Sequence, residues 1–393
     1  MHNTRKVVLH IETSREWGRG LLSGIASYVR LKGEWDSRIP DFYIGQGRRD
    51  WKHELELYRR WGVQGIITRE EKQIDTIIKS QIPSIFVSDS YPVDGLSQVV
   101  SDYAATGQMA AQYFMDQGFS NFAFCGFNKA YWSMERLKGF QEFLATRGFT
   151  VHVYEGHGSK SCHFWQKEAE HMAAWIDSLP KSVGLMAGCD LRGQHVVEAC
   201  RIAGRLVPED VSILGVDNDV PLCDITNPKL SSIAMNTSPA GYEAAGLLER
   251  LMAGEEKLDS RKIIVQPICV ITRQSSDILR VENPDLARAL NYIKQNSHRQ
   301  IVVNDVVAAA CISRRNLESK FNKYLHRSIL SEIRRVRIGR FARMLLETNY
   351  SIPQIARDLN FPSEENLGRY FEREKGMRPT EYRKKYNLGL LLH

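Results

Sequence analysis

The sequence predicts two architectures in one chain: a two-lobed α/β domain of doubly wound parallel sheets over residues 1–280, and an all-α domain with two helix-turn-helix motifs over residues 281–393. Three observations predict it. Short β-branched runs alternate with helix-length stretches through the first two-thirds of the chain. In the last third a short helix, a turn and a side-chain-capped helix carrying Leu-x3-Phe occur twice. Charge divides at the same place: of 53 Lys+Arg and 46 Asp+Glu, residues 281–393 hold 21 and 12, leaving 32 and 34 for residues 1–280. The net charge of +7 is therefore +9 in the final segment and −2 before it, so the final segment either meets a polyanion or is a solvated basic face.

Length and composition bound the rest. At 393 residues the chain is long enough for two or three domains, and its 43% hydrophobic and 25% charged residues are those of a globular protein. Met1 to Lys6 leads directly into the strand-like Val7–Ile11 with no apolar signal stretch, and no window supplies the roughly 18 apolar residues of a membrane helix. The expectation is a cytoplasmic protein with no membrane partner. The seven cysteines are odd in number and never spaced C-x-x-C, which suits free thiols. Cys162 and His163 are adjacent but lack a second ligand pair, so neither a metal nor a cofactor is expected. No phosphate loop, metal constellation or Ser-His-Asp ordering is present to carry chemistry. A carboxylate pair such as Asp190 and Asp217 could in principle hydrolyse a glycoside. The chain reads as a binding protein and not an enzyme.

In the first two-thirds, strands are expected at residues 7–11, 65–68, 84–87, 98–100, 122–125, 151–154, 184–186 and 213–216, with helices at 20–32, 104–117, 135–147, 167–178 and 193–203. Parallel sheets of this kind bind ligands beyond the carboxyl ends of their strands. Ser14, Arg15, Trp17 and Arg19 follow the first strand. Asp102 follows another, and Trp132 and Arg136 come after the strand ending at Cys125. Asp190, and then Asp217 with Asn218, follow later ones, and Trp165 opens a further helix. Carboxylates and guanidinium groups bind hydroxyl pairs, and indole faces cover sugar C–H surface, so this set suits a sugar pocket. Each Asp is equally suited to capping a helix, and Trp17, Trp132 and Trp165 to filling a core.

In the last third, Asn283-Pro284 opens a domain and Asp285 to Ile293 has helical periodicity. Asn304 to Ile312 reads as a short helix begun by a side-chain cap. Ser313 then caps a helix from Arg314 to Tyr324. Leu317 and Phe321 face inward as i,i+4 partners, so Arg315, Asn316, Ser319 and Lys323 project outward. The unit recurs: Ile352 to Phe361, with Asn360 in a left-handed turn position, precedes a helix capped by Ser363. There Leu367 and Phe371 turn inward and Glu365, Asn366, Arg369 and Glu372 outward. Between the units Ser328 to Thr348 forms one helix bearing five arginines, about 30 Å long, close to the ~34 Å between successive major-groove faces. Gly339 inside it is expected to permit close helix packing. Arg suits guanine, Asn adenine and Glu cytosine N4. Arg314, Arg315, Asn316, Ser319, Glu365, Asn366 and Arg369 are thus candidates for bases or adjacent phosphates, and Lys320, Lys323 and Arg373 for phosphate.

Residues 285–386 resemble the DNA-binding domain of the arabinose-operon-regulator family. The carriers are Ala308, Ser313, Leu317 and Phe321, then Ala342, Leu345 and Leu346, then Ile355, Ala356, Phe361, Leu367 and Phe371, closing on Gly376-x2-Pro379-x2-Tyr382-Arg383. The chain departs from that pattern at Cys311 and Asn360, where small residues are usual. Residues 5–275 resemble the effector domain of the lactose-repressor family and the periplasmic sugar-binding proteins. Here the carriers are Asp102-x4-Gly107, Arg136-Leu137-x-Gly139-Phe140, Val207-Pro208-x-Asp210-Val211-Ser212-Ile213 and Gly215-Val216-Asp217. That resemblance maps ligand contacts onto Arg136 and Asp217, with Asp102 and Trp165 as weaker matches; Cys189 stands where Asn is frequent. The combination is similar to the regulators of xylose operons. It implies a homodimer that binds operator DNA, takes D-xylose as effector, and activates transcription with RNA polymerase at the nucleoid.

Overall fold

The computed structural model describes residues 4–32, 34–40, 51–69, 74–87, 93–156, 165–256, 261–278, 283–325, 327–361 and 363–386. It divides into two compact units, residues 1–111 with 121–276 and residues 112–120 with 277–393.

The first unit contains two sheets. β1 (Arg5–His10), α1 (Glu16–Lys32), β2 (Trp35–Arg38), α2 (Trp51–Trp61), β3 (Gly65–Thr68), α3 (Ile74–Ser80), β4 (Ser84–Val87) and β5 (Ser97–Ser101) build the first lobe. After α4 (Tyr103–Asp116), the second lobe is built from β6 (Asn121–Cys125), α5 (Tyr131–Ala145), β7 (Val151–Val153), α6 (Trp165–Ser178), β8 (Val183–Ala187), α7 (Asp190–Ile202), β9 (Val211–Asp217), α8 (Val220–Ile225) and β10 (Ser231–Met235). α9 (Thr237–Ala253) and β11 (Lys262–Val265) return to the first lobe, and β12 (Pro267–Ile271) crosses back. The sheet orders are β11-β5-β4-β3-β1-β2 and β12-β10-β9-β8-β6-β7. All described pairings are parallel except β10 with β12.

Fully buried runs such as Gly65–Thr68, Ser84–Val87 and Val183–Ala187 are what strands covered on both faces by helices require. The final strands and α9 lie beyond the alternation seen in the sequence. They complete both sheets and, after the passage from β5 to β6, bring the crossings between the lobes to three. The crossing segments are tied side by side: Asp102 N donates to Val265 O at 2.9 Å, and Asn236 N to Gln266 O at 2.9 Å.

The motifs carrying Gly107 and Gly139 have a packing explanation. A Cβ on Gly107 would sit 2.4 Å from Phe140 N and 2.5 Å from Arg136 O, and one on Gly139 would sit 2.6 Å from Ala104 Cα. α4 and α5 therefore cross with backbone against backbone, and this crossing carries Arg136.

The second unit holds α10 (Pro284–Gln295), α11 (Val303–Ala310), α12 (Arg314–Leu325), α13 (Ile329–Glu347), α14 (Ile352–Asp358), α15 (Glu364–Lys375) and α16 (Pro379–Tyr386). Leu317 and Phe321 enter one core with Leu286, Leu290, Ile293, Val306, Ile329 and Ile333. A second core is a run of edge-to-face rings, Phe341–Phe371–Tyr382–Tyr386, with successive centroids 5.6, 5.2 and 4.7 Å apart. α13 supplies residues to both cores.

Two expectations about these helices are corrected. Gly339 is exposed, and a Cβ there would meet nothing within 4 Å, so helix packing does not explain it. The N-terminus of α11 is capped from inside the helix: the Asp305 carboxylate accepts from Val302 N at 2.9 Å, with Val302 in the cap position. The two turns do use left-handed residues, Cys311 at φ 57° and Asn360 at φ 48°.

Candidate functional site

A pocket opens between the carboxyl ends of the two sheets, lined by Glu12, Arg15, Trp17, Gly18, Arg69, Trp132, Arg136, Cys189 and Asp217. In each sheet it lies where strand order reverses, at β3-β1-β2 and at β8-β6-β7. On the first lobe, Glu12 just beyond β1 and Arg69 just beyond β3 form an ion pair at 3.2 Å. On the second, Arg136 of α5 reaches Asp217 at the end of β9, also at 3.2 Å, and donates to Gly188 O at 2.6 Å. The Arg136 guanidinium lies 5.2 Å from the centre of the Trp132 ring. Trp17 is fixed by its indole N–H, which donates to Ser101 Oγ at 3.0 Å. Arg15 is half-buried and lines the pocket with no described partner for its guanidinium.

The turn presenting Asp217 is strained. Asp217 and Asn218 both take positive φ, 101° and 54°, a backbone state that costs roughly 1–3 kcal/mol per non-glycine residue. Neighbouring bonds hold it. Asn218 N donates to Ser232 Oγ at 3.0 Å, Asn218 Oδ1 accepts from Arg273 at 2.9 Å, and Asp219 N donates to Asp190 Oδ2 at 2.6 Å.

Asp190 is 2% exposed and does not line the pocket. Its other oxygen accepts from Ser232 Oγ at 2.5 Å. Gly215 makes room for it, since a Cβ there would fall 2.2 Å from Asp190 Oδ1. Burial, then the neighbouring Asp217, holds the Asp190 carboxyl well above the usual range. Burial pushes the pocket thiol of Cys189 up to about 11, with Asp217 adding to the effect.

The structure thus brings Trp17, Trp132, Arg136 and Asp217 to one pocket and turns other candidates elsewhere. Asp102 caps α4, accepting from Ala105 N at 2.9 Å, and Asn218 is engaged with Arg273. Arg19 pairs with Asp219 at 2.8 Å outside the pocket lining. Trp165 opens α6, but its side chain lies outside the described residues, as do Cys162 and His163. Glu12 and Arg69 were missed in the sequence, although each occupies the position just after a strand that parallel sheets use for ligands.

In the second unit, Arg315, Asn316, Ser319 and Lys323 are exposed on α12, and Arg369 and Arg373 on α15. The hydroxyls of Ser313 and Ser363 accept from Asn316 N and Asn366 N at 3.4 and 3.3 Å, which starts each of these helices. Arg314 pairs with Glu318 at 2.8 Å, and Arg369 donates to Asn366 Oδ1 at 2.6 Å. Lys320 pairs with Asp285 at 2.5 Å and Asn283 at 3.0 Å, so a phosphate would compete with these two partners for its ammonium. The side chain of Glu365 lies outside the described residues.

On α13, Arg337 points inward: 6% exposed, it donates to the carbonyls of Leu359 and Asn360 and lies 4.0 Å from the Phe361 ring centre. Arg334 lies over Tyr370, 4.5 Å from its ring centre. These two arginines hold the second helix-turn-helix against α13.

Residues 111–276 match the model of a periplasmic binding protein-like domain, and residues 306–385 that of a helix-turn-helix domain. The chain is 28% identical to the xylose operon regulatory protein of Haemophilus influenzae over 388 residues, covering 96% of this chain and 98% of that one. It is 27% identical to the protein of the same name from Escherichia coli, covering 96% of each. A solved structure described as the xylose-binding transcription activator XylR superposes with a TM-score of 0.62 at 26% identity, over 98% of this chain and all of that one.

The chain is a sugar-responsive, DNA-binding transcription regulator. Its domain order is that of the xylose operon regulatory proteins. The regulator is not an enzyme, and its buried Asp190 acts as structural support for the Asp217 turn.

Proposed function

We propose that the regulator binds D-xylose between its two lobes and, once occupied, activates sugar-catabolic genes. Residues 1–280 sense the sugar and residues 281–393 hold operator DNA. The observation that carries the sugar half is the pair of ion pairs facing one cleft, Glu12–Arg69 and Arg136–Asp217, with Trp17 and Trp132 beside them. Each pair offers a carboxylate acceptor and a guanidinium donor at the separation of adjacent ring hydroxyls, while the indoles cover C–H surface. The cavity these residues enclose is about 20 Å³ as the lobes stand, so a sugar ring enters only when the lobes part. The likeness to xylose operon regulators favours the pentose.

For DNA, Arg315 and Asn316 on α12 and Asn366 and Arg369 on α15 read bases. Arg314, Ser319, Lys323 and Arg373 position the helices on the backbone, and Glu365 joins the reading set. The acting species is a homodimer in the bacterial cytoplasm and nucleoid, and activation proceeds through contact with RNA polymerase.

Thermal unfolding with a panel of pentoses and hexoses, followed by footprinting with and without the sugar that stabilises, tests both halves. D-xylose is expected to raise the melting temperature and extend protection at the promoter. A stabilising shift from another sugar with none from D-xylose would overturn the xylose assignment.

A further inference from the structure

We infer that Arg19 and Asp219 form a latch across the sugar cleft, closing with the lobes and slowing release of the ligand. The inference rests on the sugar reading of the cleft. Arg19 is on α1, which follows β1 of the first sheet, and Asp219 lies two residues beyond the end of β9 in the second sheet. Their ion pair at 2.8 Å therefore spans the two lobes, and neither residue lines the pocket.

Two features set this pair apart from an incidental surface bridge. Asp219 occupies the cap position of α8, yet its carboxylate makes no capping bond to that helix. Capping is the default use of an aspartate in that position, and here the carboxylate meets Arg19 instead. Arg19 in turn gathers the loop between β1 and α1. Its Nη1 donates to Thr13 O at 3.3 Å and Ser14 O at 2.9 Å, and its Nη2 also meets Glu16 at 3.1 Å. That loop carries the pocket residues Glu12 and Arg15, and the first turn of α1 carries Trp17.

On the other side, Asp219 and the pocket carboxylate Asp217 share one strained turn, pinned by the bond from Asp219 N to Asp190. Ligand contact and latch thus lie on the same two rigid segments, and bringing Asp217 toward a sugar held by the first lobe brings Asp219 toward Arg19. Glu16, three residues away on the same helix, remains a partner for Arg19 when the lobes part, so opening does not strand the guanidinium. Arg19 and Asp219 are positioning residues: they act on the sugar through closure and do not touch it.

The test is a double-mutant cycle in the full chain with Arg19→Gln, Asp219→Asn and both changes, reading D-xylose dissociation by stopped-flow tryptophan fluorescence. Each single change is expected to speed release about three- to tenfold, with the double variant no faster than either single one, because both remove the same bridge. Arg19→Lys should recover part of the loss. Hydrogen exchange on the sugar-free protein supplies a second measurement, with faster exchange expected at residues 13–19 in Asp219→Asn. Additive effects on release, or unchanged exchange at that loop, would overturn the latch. If the wild-type protein fails to bind D-xylose, the xylose assignment falls on its own, and the exchange measurement still decides the latch.

Discussion

Arg136→Met is the most discriminating perturbation of the cleft. Arg136 is 3% exposed, and its polar contacts include the 2.6 Å bond to Gly188 O and the 3.2 Å pair with Asp217. Methionine fills much of the volume and removes the charge, leaving a nearly buried carboxylate beside Asp190. Removing one partner of a buried pair costs about 3–5 kcal/mol, against a total stability of roughly 5–15 kcal/mol. For a unit of this size that is a fall in melting temperature of roughly 6–15 °C. Sugar binding loses in addition a charge-assisted hydrogen bond of about 1.5–3 kcal/mol, a weakening of roughly 10- to 150-fold. Arg136→Lys keeps the charge but cannot serve a carbonyl and a carboxylate with one planar fork, so it should fall between the two. Calorimetric titration with D-xylose at 15 °C, with the folded fraction checked by circular dichroism, separates the two effects. A folded Arg136→Met protein with wild-type sugar affinity would refute the placement of Arg136 against the ligand.

Three further outcomes follow from the geometry. Gly339→Ala should stabilise the second unit by about 0.5–1 kcal/mol in denaturant unfolding, since the site is open and helical. Gly107→Ala should destabilise the first unit by about 2–4 kcal/mol and weaken sugar binding, because its Cβ would enter the backbone of α5 beside Arg136; an unchanged melting temperature would contradict the backbone-to-backbone crossing. His195 is held down to about 4, first by burial and then by Arg192. A histidine lowered on folding contributes stability that is complete above its unfolded value of about 6.5 and lost as pH falls toward 4. Melting temperatures should therefore drop over that window, and His195→Gln should flatten the profile there.

The sequence by itself determined the class of each part of this protein. Alternation of β-branched runs with helices, and the repeated Leu-x3-Phe, are periodic signals written within a few residues of one another, and backbone hydrogen bonding and side-chain direction convert them directly into strands, helices and inward faces. Trp17, Trp132, Arg136 and Asp217 were legible for the same reason: a parallel sheet aims whatever follows its strands at one crevice.

Which of those residues turn into the crevice was decided only by tertiary packing. Arg19 and Asp190 stand beside pocket residues in the chain, yet each found a better-placed partner far away, Asp219 at 200 residues' separation and Ser232 at 42. Lys320 was expected at phosphate, and Arg337 was one of five arginines on the linking helix. Asp285 holds the first, and the carbonyls ending α14 hold the second. A charge in a folded protein goes to the partner that best offsets its lost hydration, and the distances that settle that choice exist only once remote segments have packed.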